Sequence, residues 1–346
     1  MTKQNFFKKE MLIGIGCCFL IALPAFLLGK SFPIIGGPVF GILMGMLLAL
    51  FKRPARLDSG IKFTSKYILQ YSIVLLGFEM NLFNVIKVGT QSLAVIIFTL
   101  SASFLTAFFA GKALKVDGNT TTLIGVGTSI CGGSAIAATA PVIRAKDEDV
   151  AQAISTIFLF NIIAVFIFPA LGRLIGMSDT GFGMWAGTAI NDTSSVVAAS
   201  AAWSNAAGNN TALAFATIVK LTRTLMIIPI TLVLAIYTTR KLKRTATGSE
   251  SSPSGNFSIV RIFPWFVLGF LASAILNTFL PIPVTVASGL VQIGKFMIIM
   301  AMTAIGLNTN IRKLLTNGIK PICLGLCCWF AVAVVSLIVQ HAVGIV

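Results

Sequence analysis

Residues 127–141 read GTSICGGSAIAATAP and form a small, polar box inside an otherwise apolar stretch. Gly132 and Gly133 should weaken or interrupt a helix, and Pro141 closes the box. Non-helical backbone at membrane depth is tolerated only where protein buries it or where it lines a cavity. The box therefore predicts a broken helical element beside a cavity.

A second box follows 60 positions later, where residues 187–199 read GTAINDTSSVVAA. Thr128 and Ser134 of the first box recur here as Thr188 and Ser194. If both boxes are full crossings, they run in the same direction through the membrane. If each box is a re-entrant hairpin, the two enter from opposite sides and become inverted mates. The sequence is compatible with both alternatives, and both place the boxes around a cavity.

The composition of the chain is that of a membrane protein. Hydrophobic residues make up 56% of it, charged residues 10%, and the mean hydropathy is +0.95. A transmembrane helix needs about 20 apolar residues, and about eleven stretches approach that length. These stretches are 11–29, 34–51, 65–81, 91–111, 120–143, 151–175, 182–203, 211–237, 262–280, 286–307 and 321–343. We therefore predict an all-α polytopic membrane protein with about 9–11 transmembrane helices.

Two apolar stretches resemble each other at a separation of 229 positions. Residues 65–81 align with residues 294–310, and the alignment pairs Lys66 with Lys295. The two stretches run in opposite directions through the membrane, which is typical of an inverted repeat. Chance similarity between apolar helices is the alternative explanation.

The predicted organisation is a single transmembrane domain over residues 1–346. Within it, the suspected repeat elements are residues 34–143 and 182–346. Residues 240–258 form a hydrophilic linker whose composition is typical of flexible segments, and its leading cations place it on the cytoplasmic side.

The net charge of +16 follows membrane topology and does not indicate nucleic-acid binding. With the N-terminus inside, the outer loops of the eleven-span alternative hold four of the 26 Lys and Arg residues: Lys30, Lys87, Arg144 and Lys146. Four more lie in apolar spans, and the others lie in inner loops. The positive-inside rule therefore predicts a cytoplasmic N-terminus and an external C-terminus.

The four basic residues within apolar spans are Lys66, Lys220, Arg223 and Lys295, whereas Asp192 is the single acid at comparable depth. A cation in the bilayer core is costly and usually faces a partner or an aqueous cavity. This excess of positive charge indicates an anionic substrate, and Arg223 could donate two hydrogen bonds to an oxyanion. A buried salt bridge to Asp192 is the alternative. Lys66 and Lys295 are weaker candidates because both could reach the membrane interface.

Taken as one helix, the second box places Thr188, Asn191, Asp192 and Ser195 on a single face. Together with Thr193, these oxygen-bearing side chains are candidates for coupling transport to H⁺ or to a Na⁺ ion near Asp192. The first box has few bulky side chains, so its backbone N–H groups could approach an anion. Its candidate substrate-binding residues, which join Lys220 and Arg223, are Thr128, Ser129, Cys131, Gly132, Gly133 and Ser134. Close helix packing through small residues is the alternative reading of both boxes.

The sequence contains no HExxH motif, no phosphate-binding loop, no Ser–His pair and no His/Cys/Asp cluster at metal-binding spacing. We therefore expect no cofactor and no enzymatic activity. The prediction is a secondary-active transporter of a small anion that works by alternating access in the lipid bilayer. An anion channel and a membrane-embedded enzyme are the alternatives. The sequence leaves the oligomeric state open, including a homo-oligomer.

The boxes at 127–141 and 191–196, with the turn at 75–78, resemble the YeiH-like bacterial inner-membrane proteins over essentially the whole chain. That family is commonly labelled as sulfate exporters. It is often grouped with bile-acid and arsenite-type transporters that have paired inverted repeats and broken helices. The resemblance implies a multi-pass protein of the bacterial inner membrane that transports anions, with sulfate and organic sulfonates as candidate substrates.

Overall fold

The structure is a computed structural model that describes residues 3–32, 36–245, 265–309 and 318–344. These residues form helices and no strands. The helices are α1 (Lys3–Ser31), α2 (Gly37–Leu48), α3 (Asp58–Phe63), α4 (Leu69–Leu76), α5 (Leu82–Leu114), α6 (Gly118–Ser129), α7 (Gly133–Thr139), α8 (Asp147–Leu174), α9 (Asp179–Ala189), α10 (Thr193–Ala207), α11 (Thr211–Leu225), α12 (Ile227–Thr245), α13 (Trp265–Phe279), α14 (Val284–Asn308) and α15 (Ile319–Val343). A π-helical turn, Thr64–Ile68, joins α3 to α4. The described residues exclude most of the predicted linker (residues 246–258). They also exclude Asn310, the last position of the aligned stretch 294–310.

Within the described residues, six helical segments are long and apolar enough to cross a membrane. They are Glu10–Ser31, Leu82–Leu114, Glu148–Leu174, Thr211–Thr238, Val284–Asn308 and Ile319–Val343. Large apolar side chains such as Phe108, Phe109 and Ile97 are exposed on their outer surfaces. An exposed apolar surface of this kind suits contact with lipid. The predicted all-α polytopic membrane class is confirmed.

The first box is a re-entrant hairpin, here called the first hairpin. In it, α6 enters the protein, the chain reverses at residues 130–132, and α7 returns. A Cβ atom at Gly127 would lie 2.9 Å from Cδ1 of Ile136, although nine residues of continuous helix would separate them by about 13 Å. The Thr120 hydroxyl donates a 2.8 Å hydrogen bond to Asp149, so α6 and α8 begin on the same side of the protein.

The second box is the second hairpin, formed by α9, a break at residues 190–192, and α10. Trp203 Nε1 donates to Asp179 Oδ1 at 2.6 Å, and Asn209 Nδ2 donates to Asp179 Oδ2 at 2.7 Å. The rings of Phe182 and Trp203 stack with centroids 4.1 Å apart. The end of α10 therefore returns to the start of α9.

Helix α8 crosses the protein between the two hairpins, so the hairpins enter from opposite sides. We call the side with the starts of α6 and α8 the first face, and the side with the starts of α9 and α11 the second face. This arrangement corresponds to the re-entrant alternative, with the two boxes as inverted mates. It places Arg144 and Lys146 on the first face and Arg173 on the second.

The remaining helices form a frame around the hairpins. Helix α2 packs along α14, α5 packs along α15, and α13 packs on α4. A Cβ atom added to Gly306 would lie 3.0 Å from the Cα atom of Gly45, so α2 and α14 touch through their backbones. Small residues permit this close approach between membrane helices.

Candidate functional site

The breaks of the two hairpins meet in the interior of the protein. In the first break, Gly132 has φ +70° and ψ −129°, a backbone conformation that side-chain-bearing residues rarely adopt. In the second break, Asp192 is the N-cap of α10 and accepts a 3.2 Å hydrogen bond from the backbone N–H of Ser194. A carboxylate followed by hydroxyl residues favours this capping geometry over a continuous helix.

Lys220 of α11 connects the two breaks. Its side chain is 0% exposed, and its ammonium group donates to Ile130 O at 2.9 Å, to Ile190 O at 3.0 Å, and to Asn191 O. One cation therefore satisfies carbonyl groups from both hairpins at once. The chain can bury this charge because three acceptors surround its three N–H donors.

Arg223 lies one turn further along α11 and binds the same region. Its Nε donates to Ser129 O at 2.7 Å, its Nη1 to Ile190 O at 3.3 Å, and its Nη2 to Thr128 O. These are carbonyls at the C-terminal ends of α6 and α9, where a helix carries unsatisfied acceptors and partial negative charge. Two cations on one helix thus neutralise two helix ends that meet from opposite faces.

A cavity of about 520 Å³ opens beside the breaks, and we call it the first cavity. Ser134 of the first hairpin and Asp192, Thr193 and Ser194 of the second contribute to its wall. The other residues that line it are Ser65, Lys66, Leu69, Gln70, Ile73, Ile154, Ser155, Phe158, Phe266, Ile305, Asn308 and Thr309. These elements extend from the hairpin breaks towards the first face.

Asp192 is the acid of the first cavity. Its carboxylate accepts hydrogen bonds from the hydroxyl and the backbone N–H of Ser194. Its own backbone N–H donates to Asn161 Oδ1 of α8 at 3.3 Å. Lys66, at the other end of the site, is exposed and lies 5.2 Å from the ring centroid of Tyr67. The cavity therefore presents one acid, one base and several hydroxyl and amide groups in a wall that also contains apolar side chains such as Phe158 and Phe266.

Sequence comparisons place the chain among known membrane proteins. Residues 13–325 match the family model described as Conserved hypothetical protein 698. A UPF0324 membrane protein of Fusobacterium nucleatum is 51% identical over 353 residues, which cover 97% of this chain and 99% of that protein. A UPF0324 membrane protein of Streptococcus mutans is 53% identical over 345 residues, which cover 98% and 99% of the two chains.

The chain belongs to the UPF0324 family of membrane proteins. This membership confirms the resemblance to the YeiH-like proteins that the two boxes carry. The UPF0324 relatives are named as membrane proteins, in agreement with the apolar helices and with the predicted multi-pass membrane localisation.

The structure brings part of the predicted site of this UPF0324 chain together. Ser134, Asp192 and Thr193 line the first cavity, and Gly133 begins the helix that carries Ser134. Lys220 and Arg223 do not line it. Both side chains instead donate their hydrogen bonds to backbone carbonyl oxygens at the breaks. Their contact with an anion stays a prediction.

The salt bridge considered between Asp192 and a buried cation is not seen. Arg53 and Asp58 form an ion pair at 2.9 Å, away from the two breaks. Lys220 and Arg223 face carbonyl groups instead, because each hairpin break ends a helix and exposes its last acceptors. The sequence did contain a signal for these carbonyl partners. A break in a helix creates a new C-terminus, whose last carbonyl groups have no partner within the helix.

The expectation that residues 188–195 form one helical face is wrong, because the break at 190–192 separates α9 from α10. Thr188 contacts Ser336 of α15 through hydroxyl oxygens 2.6 Å apart, and Ser195 is buried in the first turn of α10. In the first hairpin, the Ser129 hydroxyl donates to its own helix, and Cys131 is buried as a free thiol. The coupling and binding roles assigned to these residues stay predictions.

Several buried polar atoms near the breaks have no hydrogen-bond partner in the described structure. They are both side-chain polar atoms of Asn191, Nδ2 of Asn161 and Oγ1 of Thr128. Asn161 Nδ2 would lie 3.6 Å from a Cβ atom at Gly132, which places this amide at the first hairpin break. The described residues contain no group of three or more His, Cys, Asp and Glu side chains able to hold a metal ion. Any Na⁺ site here would therefore rely on Asp192 together with neutral oxygens.

Gln70, Ser155 and Asn308 line the cavity but were not among the predicted site residues. None of the three belongs to a recognisable ligand-binding motif in the sequence. Their position follows from tertiary packing, which brings α4, α8 and α14 of this UPF0324 chain to one cavity.

Proposed function

We propose that this chain is a secondary-active transporter that moves a small anion by alternating access. The observation that carries the proposal is the pair of re-entrant hairpins that meet from opposite faces beside the first cavity. Broken helical elements at the centre of inverted repeats are typical of substrate sites in secondary transporters. The substrate class is a small oxyanion such as sulfate, a sulfonate or an organic acid.

Anion binding in the first cavity follows from its polar groups. The start of α10 carries the positive end of a 15-residue helix, and its Thr193 and Ser194 side chains line the cavity. Ser134 faces the same cavity from the first hairpin, and Lys66 supplies a full positive charge towards the first face. An oxyanion would accept hydrogen bonds from the hydroxyls while Lys66 balances its charge.

Asp192 provides the coupling to H⁺ or Na⁺ in this proposal. An ionised carboxylate and a substrate anion about 4 Å apart repel each other by about 4 kcal/mol at an effective dielectric constant of 20. A proton or a Na⁺ ion on Asp192 removes that repulsion. The cation and the anion therefore bind cooperatively, and a gradient of the cation drives the anion.

The orientation in the membrane is part of the proposal. The bias of Lys and Arg residues supports a cytoplasmic first face, an internal N-terminus and an external C-terminus. With the hairpins re-entrant, Arg144 and Lys146 join the cytoplasmic side and Arg173 moves outside, which strengthens the bias.

Counterflow in proteoliposomes tests the function. The purified chain is reconstituted, and uptake of labelled sulfate, methanesulfonate, bicarbonate and succinate is measured with and without the same unlabelled anion inside. We expect at least one anion to enter faster when it is also present inside. Flux that internal anion does not accelerate would indicate a channel, and a chemically altered anion would indicate an enzyme. Transport of none of the four would overturn the anion proposal.

Asp192→Asn tests the coupling role. Asparagine is also a good N-cap, so α10 should keep its start. We expect counterflow to persist while accumulation driven by a proton or Na⁺ gradient is lost, because the variant cannot bind the coupling cation through a carboxylate. Glu148→Gln, which removes an exposed acid outside the cavity, should accumulate the anion normally. Gradient-driven accumulation by Asp192→Asn would exclude Asp192 from coupling.

A further inference from the structure

A second cavity of about 320 Å³ lies towards the second face, on the opposite side of the protein from the first cavity. Lys30 and Lys295 line it together with polar side chains from α10, from α14 and from the N-cap of α11. These polar side chains are Ser204, Asn205, Asn210 and Gln292. The described residues that line it include no carboxylate. The cavity therefore combines two cations with hydroxyl and amide groups, which is the chemistry of a site for a small oxyanion.

Lys295 is held at this cavity by a short chain of hydrogen bonds. Its ammonium group donates to Asn210 Oδ1, and Asn210 Nδ2 donates to Glu79 Oε1. Glu79 does not line the cavity, so the acid supports the lysine from behind the amide. The lysine is half-buried, and its ammonium group donates to the side-chain amide of Asn210. An anion in the cavity could therefore take further N–H donors of Lys295 without first displacing a carboxylate.

The two cavities contain corresponding residues of the suspected repeat. Lys66 and Lys295 are paired in the alignment at 229 positions, and they line the first and second cavities respectively. The two copies of the repeat run in opposite directions through the membrane, so their lysines are expected on opposite faces. Their observed positions agree with that symmetry.

The same two helices border both cavities. On α10, Ser194 lines the first cavity and Ala201 the second, whereas on α14 Ile305 lines the first and Ile298 the second. Seven residues of helix correspond to about 10 Å. Only about two helical turns separate the cavities along either helix, and the side chains buried between them include the apolar Ala198 and Met302.

We propose that the second cavity is an anion-binding site and forms the outward half of the substrate path, with Lys295 as its anion contact. The thin apolar barrier then separates two half-sites, and transport requires a movement of the hairpins that opens one half-site while it closes the other. This inference rests on the proposed function and adds a second site, its residue and its face.

Cysteine labelling with anion protection tests the second site. Asn205→Cys reports on the second cavity and Ser134→Cys on the first, each compared with the parental chain to correct for its six native cysteines. A cationic, membrane-impermeant methanethiosulfonate reagent is applied from the second face for Asn205→Cys and from the first face for Ser134→Cys. Sulfate and methanesulfonate are the protecting probes. We expect either probe to slow labelling of Asn205→Cys in a concentration-dependent manner.

Lys295→Gln should weaken that protection by about tenfold, since it removes a charge-assisted hydrogen bond. Lys295→Arg, which keeps the charge, should retain most of the protection. Lys87→Gln is the matched control because it removes an exposed cation near the second face but outside the cavity. The labelling rate of each variant without a probe shows whether the cavity is intact.

Each outcome is decisive. Protection of Asn205→Cys that Lys295→Gln weakens and Lys87→Gln leaves unchanged would support the second site. Protection of Ser134→Cys alone, protection at Asn205→Cys that is equal in Lys295→Gln, or no labelling of Asn205→Cys from the second face would overturn it and leave the proposed function standing. Protection at neither position would count against both proposals.

Discussion

Arg223 shows how single residues allow two helix ends to meet inside a membrane protein. Its planar guanidinium reaches Thr128 O, Ser129 O and Ile190 O, so one side chain serves carbonyls of both α6 and α9. Lysine offers its donors from a single atom and cannot match this fork. Lys220 and Arg223 therefore play complementary roles. The ammonium group of Lys220 lies between the two breaks, whereas the guanidinium of Arg223 donates to the carbonyl groups that end α6 and α9.

Gly132 permits the reversal of the first hairpin, and Gly132→Ala tests this role. The residue has φ +70°, and a Cβ atom would lie 3.4 Å from Cβ of Asp192. We expect the alanine variant to lose about 1–3 kcal/mol of stability, because an L-residue is strained in this conformation. Thermal unfolding in detergent measures the loss. The control is Gly133→Ala, whose Cβ atom would meet Phe158 at an ordinary 3.6 Å. Equal melting temperatures for the two variants would contradict the role of Gly132.

At the scale of elements, an aspartate anchors the start of each hairpin: Asp179 joins the two arms of the second, and Asp149 of α8 holds the start of α6 in the first. Asp179 accepts hydrogen bonds from Trp203 and Asn209 in the second hairpin, and Asp149 accepts one from Thr120 beside the first. Asp179→Ala should leave the buried Trp203 Nε1–H unpaired and cost about 1–3 kcal/mol locally. We expect faster amide hydrogen exchange in residues 179–207 but not in residues 118–139.

The reciprocal variant, Asp149→Ala, supplies the control for this prediction. It should speed exchange in the first hairpin and spare the second, because Thr120 then loses its acceptor. Similar acceleration across both hairpins in either variant would show that the two elements open together, and would contradict their separate closure.

The sequence located the first broken element because Gly132 and Gly133 are local signals in an apolar background, and it identified the second box through its similarity to the first. It could not distinguish a full span from a re-entrant hairpin. That distinction depends on tertiary contacts such as Asp179 with Trp203, which local patterns do not contain. For the same reason it found Lys220 as a buried cation but missed its carbonyl partners.

At the scale of the whole molecule, the two sequence similarities have different separations, 60 and 229 positions. In the first repeat element the stretch 65–81 precedes its box, whereas in the second the box precedes the stretch 294–310. A simple duplication would preserve the order of elements. The packing of α2 on α14 and of α13 on α4 has the reciprocity of a two-fold arrangement. The predicted division at 34–143 and 182–346 stays a prediction, and the positions of the two boxes indicate that its elements follow different orders in the two halves.

The barrier between the cavities determines whether the molecule works as a carrier or as a leak, and Met302→Ala tests it. Met302 is fully buried in the cluster that contains Ile73, Val197 and Ala198. Truncation should create a void in a barrier only about two turns thick. We expect anion leak down its gradient, measured in proteoliposomes, to rise above the parental level.

Met300→Ala provides the matched control because the same side chain, two positions earlier on α14, packs against Ala22 and Ala25 of α1. It removes the same volume without thinning the barrier, so its leak should equal that of the parent, although both variants should lose stability. Equal leak from the two variants would show that the void, wherever it lies, perturbs the protein generally. A parental leak in Met302→Ala would place the barrier in other side chains. An increase confined to Met302→Ala would locate the barrier between α10 and α14, because these helices border both cavities.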